Sequence, residues 1–139
     1  MPIVEGKPAP KFTLQDGDGN KVALSAFKGR NVVVYFYPRD DTPGCTKEAC
    51  GFRDLNEDIA ATGAVVLGVS PDDAASHQAF VAKYGLNFTL LSDPDKKVME
   101  KYGAWGEKMM YGKKTTGVIR STVLIRSEEH TSELQSPCN

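Results

Sequence analysis

The chain has 139 residues, 40% hydrophobic and 25% charged, a composition that fits one globular domain and leaves no room for a second. Seventeen basic residues against eighteen acidic ones give a net charge of −1, so the basic excess of an electrostatic nucleic-acid binder is missing. No apolar run approaches the ~20 residues of a membrane span and the first residues carry no apolar signal core, so a cytoplasmic protein with neither membrane nor nucleic-acid partners is expected.

Lys11 to Leu14 and Lys21 to Leu24 flank Asp16-Gly17-Asp18-Gly19-Asn20, which reads as a hairpin. Asn31 to Tyr37 is a continuous β-branched and aromatic run, the pattern of a strand buried on both faces. Pro38 ends it. Thr42-Pro43 then opens a helix, with threonine as N-cap and proline in the first turn. Phe52, Leu55 and Ile59 mark its apolar side and Gly63 closes it. Ala64 to Val69 is a second buried strand, and Asp72 to Tyr84 a helix with Phe80, Val81 and Tyr84 on one side. Phe88 to Leu91 is a third core strand. Asp95 to Tyr102 is a short helix capped near Asp93, 103–114 a glycine- and lysine-rich loop, and Gly117 to Ile125 the last strand. Strands alternating with helices predict an α/β domain with a central sheet.

Residues 126–139, RSEEHTSELQSPCN, are polar and without a sustained period, so no packed element is expected from them. The stretch resembles the translated read-through of a sequencing-library adapter. The domain is therefore taken as residues 1–125 and the remainder as a foreign or disordered tail, with no role for Cys138. Two cysteines remain in the body, Cys45 and Cys50, and one histidine, His77.

The chemistry falls between Pro38 and Arg53. With Thr42 as N-cap, Cys45 lies in the first helical turn, where free backbone N–H groups and the positive end of the helix dipole favour a thiolate. Lowering a thiol pKa by two units takes about 2.7 kcal/mol, whereas a helix terminus supplies about 0.3–1 kcal/mol and at most about 2. A cation is needed as well, from among Arg39, Lys47, Arg53 and Arg120. Cys50 follows at i+5, which on an intact helix puts the two Cα atoms about 8.7 Å apart. A disulfide needs less than about 7 Å, so a bridge requires the first turns to unwind. Gly44 and Gly51 flank the pair and weaken the helix locally.

Pro38-x-x-x-Thr42-x-x-Cys45 matches the active-site motif of the peroxiredoxins. Glu48-Ala49-Cys50-x-Phe52-Arg53 resembles the peroxiredoxin Q branch, also called bacterioferritin comigratory protein. Gly6-x-x-Ala9-Pro10-x-Phe12, Val33 to Pro38, Gly68-Val69-Ser70, Leu90-Leu91-Ser92-Asp93 and Arg120-Ser121-Thr122 extend the similarity over essentially all of 1–125.

The resemblance implies a thioredoxin-like fold with an N-terminal β-hairpin, lacking the usual C-terminal strand and helix. It implies a thiol-dependent peroxidase that uses no cofactor or metal, reduces hydrogen peroxide and organic hydroperoxides, and acts as a monomer. Cys45 would become a sulfenic acid, Cys50 would condense with it to an intramolecular disulfide, and a thioredoxin-type reductant would restore both thiols. Thr42 would contact the peroxide, Pro38 would shield the pocket, and Arg120 would hold the thiolate and polarise the substrate. Glu48 would orient Arg120, and backbone N–H groups near Gly44 and Cys45 would stabilise charge on the leaving oxygen. The family usually continues past the Arg120 strand with a strand and a helix, so marginal stability is the expectation for this chain.

Plainer readings stand beside these. Cys45 could be a buried small hydrophobe, and Cys50 could be merely buried while another thiol resolves the sulfenate. Zinc would need four ligands, and the cysteine spacing offers two. A cysteine–histidine hydrolase would need His77, which one turn before Phe80 and Val81 reads better as a packed or solvated helix residue. Trp105, Met109, Met110 and Tyr111 could line a substrate or partner surface, but read better as apolar anchors of a loop. The alternative function is a non-catalytic, truncated thioredoxin-like module.

Overall fold

The computed structural model describes residues 10–27, 29–110, 112–126 and 131–134. Strand β1 (Thr13–Asp16) turns back into β2 (Lys21–Ala23), followed by a 3-10 turn at Leu24–Phe27. Then come β3 (Val32–Phe36), α1 (Pro43–Ala61), β4 (Val65–Ser70), α2 (Ala74–Tyr84), β5 (Thr89–Ser92) and α3 (Lys97–Lys101). The chain continues through β6 (Trp105–Met110), β7 (Lys113–Val118), β8 (Ser121–Ile125) and β9 (Thr131–Leu134). Seven strands form one sheet in the order β2-β1-β5-β4-β3-β8-β9, while β6 and β7 pair separately.

The centre of this sheet follows from residue type. β3, β4 and β5 run parallel and have apolar residues on both faces, as their sequence runs predict. The two-residue period of β3 divides its side chains. Val32, Val34 and Phe36 join Leu67, Val69, Leu91, Met99 and Tyr102 on the α3 side. Tyr35 joins Tyr37, Cys45, Ala49, Val66, Phe80 and Leu90 on the side of α1 and α2. Each fully buried side chain of this size contributes about 1.5–3 kcal/mol of transfer free energy, so β3 anchors both layers. Gly68 permits the second layer: a Cβ there would stand 2.7 Å from Leu90 Cδ2 and 2.8 Å from the Tyr35 ring tip.

Several expectations change. The apolar stripe of α1 includes Cys45, Ala49, Phe52 and Ile59, but Leu55 is 56% exposed. Leu55 falls beside the stripe, where Asn56 takes the inward position and donates to the Asn87 carbonyl. α3 begins at Lys97 rather than Asp95, because Pro94 and Asp95 form a turn. Asp93 still serves its start, accepting from Met99 N at 2.9 Å. Trp105–Met110 and Lys113–Val118 form a β-ribbon where the sequence suggested a loop over 103–114: Trp105 pairs with Val118 and Met110 with Lys113. Its lysines, threonines and glycines hide the strand period, and its backbone pairing is independent of side-chain polarity. Trp105 packs against the main core, with Lys96 Nζ 5.3 Å from its ring centre; Tyr111 lies outside the described residues.

The last predicted strand is two strands, broken at Ile119-Arg120, where Ile119 N donates to the Ala104 carbonyl at 2.7 Å. Beyond it, Thr131–Leu134 pairs antiparallel with β8, whereas the sequence promised no element in 126–139. The free backbone groups of an edge strand accept any extended segment, so the polar composition of 131–134 does not prevent pairing.

Candidate active site

The sheet brings the distant parts of the site together. β8 lies antiparallel to β3 with Ser121 opposite Phe36, so the residue before β8 comes to the end of β3 where the loop to α1 begins. That residue is Arg120. Its Nη2 donates to Cys45 Sγ at 2.8 Å. Of the four cations the sequence offered, Arg120 is the one placed against Cys45. Arg39 and Lys47 are exposed, and Arg53 is engaged elsewhere, with Asp54 and the Tyr84 carbonyl.

Cys45 is 1% exposed and third in α1, where first-turn N–H groups and the helix dipole add to the guanidinium. Gly44 makes the approach possible, since a Cβ there would meet Arg120 Nη2 at 3.1 Å. On its other side the guanidinium faces Glu48, with Nη1 3.7 Å from Oε1. That separation is an ion pair and too long for a hydrogen bond. Both atoms are buried without a hydrogen-bond partner among the described residues. Burial raises the Glu48 pKa above its ordinary value, and the charge of Arg120 opposes that rise.

Thr42 stands at the N-cap with extended backbone, but its hydroxyl does not cap the helix. It donates instead to the Arg39 carbonyl at 3.1 Å, which leaves its oxygen lone pairs free to accept. Pro38 is half-buried in the same loop. Cys50 is a free, half-buried thiol on the same unbroken helix as the buried, free Cys45. Pro38 and Thr42 thus lie in the connection from β3 to α1, Cys45 and Cys50 in the first half of α1, and Arg120 immediately before β8.

The sequence reading missed a polar network behind the loop. Asp40 is buried, accepts from Tyr37 OH at 2.5 Å and Ser76 Oγ at 2.8 Å, and shares a hydrogen bond with His77 Nδ1 at 2.7 Å. His77 Nε2 reaches the Leu91 carbonyl at 3.0 Å. His77 is packed, as one of the plainer readings had it, but paired with a carboxylate and not inert. The available signal was its spacing with Phe80, Val81 and Tyr84, which turns it inward, together with an aspartate in the active loop. Among the described residues no group of three or more His, Cys, Asp or Glu could hold a metal, and no helix is long and apolar enough to cross a membrane.

Comparison with known proteins gives consistent matches. The model of the AhpC/TSA family matches residues 5–130. A protein named peroxiredoxin bcp from Coxiella burnetii is 52% identical over 128 residues, 92% of this chain and 85% of that protein. A chloroplastic peroxiredoxin Q of Oryza sativa subsp. japonica is 59% identical over 101 residues, 73% of this chain and 46% of its own. Among solved structures, the bacterioferritin comigratory protein of Xanthomonas campestris, described for alkyl peroxide reduction, superposes with a TM-score of 0.83 at 38% identity, covering 89% of this chain and 80% of that one. A cysteine-to-serine variant of Xylella fastidiosa PrxQ gives 0.89 at 31% identity, covering 97% and 87%.

Proposed function

The chain belongs to the AhpC/TSA family and is a thiol peroxidase, and within that activity we propose that Cys45 is the nucleophile and Cys50 the thiol that resolves its product. The contact between Arg120 Nη2 and Cys45 Sγ carries this assignment. A guanidinium beside a sulfur at a helix start stabilises the anionic form that attacks.

The proposed reaction starts with hydrogen peroxide or an organic hydroperoxide entering between Pro38, Thr42 and Arg120. The Thr42 oxygen accepts the substrate O–H. Arg120 Nη1, which has no hydrogen-bond partner among the described residues, donates to a peroxide oxygen. The Cys45 thiolate attacks one oxygen, an S–O bond forms as the O–O bond breaks, and the sulfur becomes a sulfenic acid. The second oxygen departs as hydroxide or alkoxide and takes up a proton to give water or an alcohol. Backbone N–H groups near Gly44 and Cys45 favour that developing charge, and Glu48 holds Arg120 in place.

Cys50 then attacks the sulfenic sulfur, the S–S bond forms and water leaves. The two thiols sit five residues apart on one helix, so the start of α1 unwinds for this step. A thioredoxin-type dithiol returns the disulfide to two thiols by exchange, which suits a monomer in the reducing cytoplasm.

Stopped-flow mixing with hydrogen peroxide, followed by mass spectrometry, tests the reading. The expected result is rapid loss of two thiols and a Cys45–Cys50 disulfide, both abolished in Cys45→Ser. Oxidation no faster than that of a free thiol would exclude it.

A further inference from the structure

The loop from Pro38 to Thr42 lines the proposed peroxide site, yet side chains outside the loop fix its path. Asp40 N donates to Asp72 Oδ2 at 2.7 Å, and Ser70 Oγ donates to the same oxygen at 2.8 Å. The Asp40 carboxyl has three partners: Tyr37 on Oδ1, Ser76 and His77 on Oδ2. Asp41 adopts a φ of 57°, costly for a residue with a side chain, and is held there by Lys83 Nζ at 2.8 Å and Tyr84 OH at 2.7 Å. Ser76, His77, Lys83 and Tyr84 all belong to α2, so α2 holds the approach to Cys45.

The hydrogen-bond inventory constrains the buried pair. The Leu91 carbonyl only accepts, so His77 Nε2 carries a proton. One further proton lies between His77 Nδ1 and Asp40 Oδ2, whichever atom holds it. The pair is neutral overall in either form, which makes its burial tolerable. Removing either partner leaves a buried group without its complement and frees the loop.

We propose that Asp40 and His77 are positioning residues for the peroxidase: their buried pair locks the Pro38–Thr42 loop to α2 and thereby sets where peroxide sits against Cys45. The proposal rests on the peroxidase reading. It concerns the oxygen partner and not the sulfur, because the hydrogen bond at Cys45 Sγ comes from Arg120 and not from this pair. A displacement of about 1 Å at a reacting pair can cost about 10²-fold in rate.

The test compares two electrophiles on one thiol. His77→Ala and Asp40→Ala should lower the rate constant for oxidation by hydrogen peroxide by about tenfold or more. Alkylation of Cys45 by iodoacetamide, which needs no such pocket, should change by less than about twofold. Asp40→Asn can still donate to a neutral His77 and accept from Tyr37, so it should recover most of the loss seen in Asp40→Ala. Ser76→Ala removes one donor from the same carboxylate; it should show a smaller loss of the same kind, and it decides the matter if the alanine variants do not fold. An unchanged peroxide rate in variants that merely melt earlier would overturn the proposal. So would equal loss in both reactions. A wild-type sulfur that reacts with peroxide no faster than a free thiol overturns the peroxidase reading itself, before any variant is compared.

Discussion

Gly44 and Arg120 are matched in space: the guanidinium occupies the volume a side chain at residue 44 would fill, 3.1 Å from where its Cβ would stand. Gly44→Ala therefore separates stability from chemistry. Alanine improves helix propensity by about 0.5–1 kcal/mol, so thermal unfolding should hold or rise. The pushed guanidinium should lower the rate constant for hydrogen peroxide by about tenfold. Stopped-flow rates beside melting curves would show the split, and parallel loss of both would contradict it.

Arg120 offers one N–H to sulfur while its second terminal nitrogen faces Glu48 without a hydrogen bond. A lysine has one charged nitrogen and cannot serve two acceptors from a planar fork. Arg120→Lys should therefore keep part of the charge effect, and Arg120→Met should lose about 10²-fold or more in peroxide rate. The order wild type, lysine, methionine in single-turnover oxidation of Cys45 is the check.

Glu48 supplies a pH signature. Its carboxyl is raised by burial, which Arg120 only partly offsets, so the folded chain binds that proton more tightly than the unfolded chain. Its stabilising contribution is thus fully present below the ordinary unfolded value, about 4.5, and is lost as pH rises through the folded one. Glu48→Gln removes that slope. Urea midpoints should match wild type near pH 4 and exceed it at pH 7. A variant less stable than wild type only at neutral pH would reverse the sign.

The sequence showed most clearly what burial on two faces imposes. Val32 to Phe36, Val65 to Val69 and Leu90-Leu91 are apolar because each feeds both cores. Cys45 was legible because a helix start is a local feature. Its contact with Arg120 was not legible from spacing, since it depends on Ser121 lying opposite Phe36 in an antiparallel register; only the motif resemblance pointed there. The break at Ile119-Arg120 was hidden in a run of strand formers and is made by a long-range bond from Ile119 N to Ala104 O. Asp40 and His77 meet through tertiary packing of α2, which no local pattern encodes.

Gly68 tests the layer under α1. A Cβ there would overlap Leu90 and Tyr35, and Tyr35 stacks on Phe52 of α1 with ring centres 4.6 Å apart. Gly68→Ala should destabilise the fold by about 1–3 kcal/mol through overpacking, seen as a lower urea midpoint with an unchanged slope. Full wild-type stability would mean that the Tyr35 ring can move aside at no cost.

Gly51 tests the unwinding step apart from the attack. It lies in α1 next to Cys50, and an added Cβ would meet nothing within 4 Å. Further along, Arg53 Nη1 donates to the Tyr84 carbonyl at 2.7 Å and Asn87 Nδ2 to the Arg53 carbonyl at 3.2 Å, so the helix is pinned from Arg53 onward. Unwinding is then confined to the turns before it. Gly51→Ala strengthens those turns by about 0.5–1 kcal/mol, equivalent to about two- to fivefold in rate if the lost helix is fully open when the S–S bond forms. The first oxidation should keep its wild-type rate, because a Cβ at residue 51 would meet neither Cys45 nor Arg120. Disulfide formation should slow by that factor, and the sulfenic acid, living longer, should yield more sulfinic product at high peroxide. Two-phase stopped-flow traces with mass spectrometry of Cys45 separate the steps, and an unslowed second phase would mean that the disulfide forms without opening the helix at residue 51.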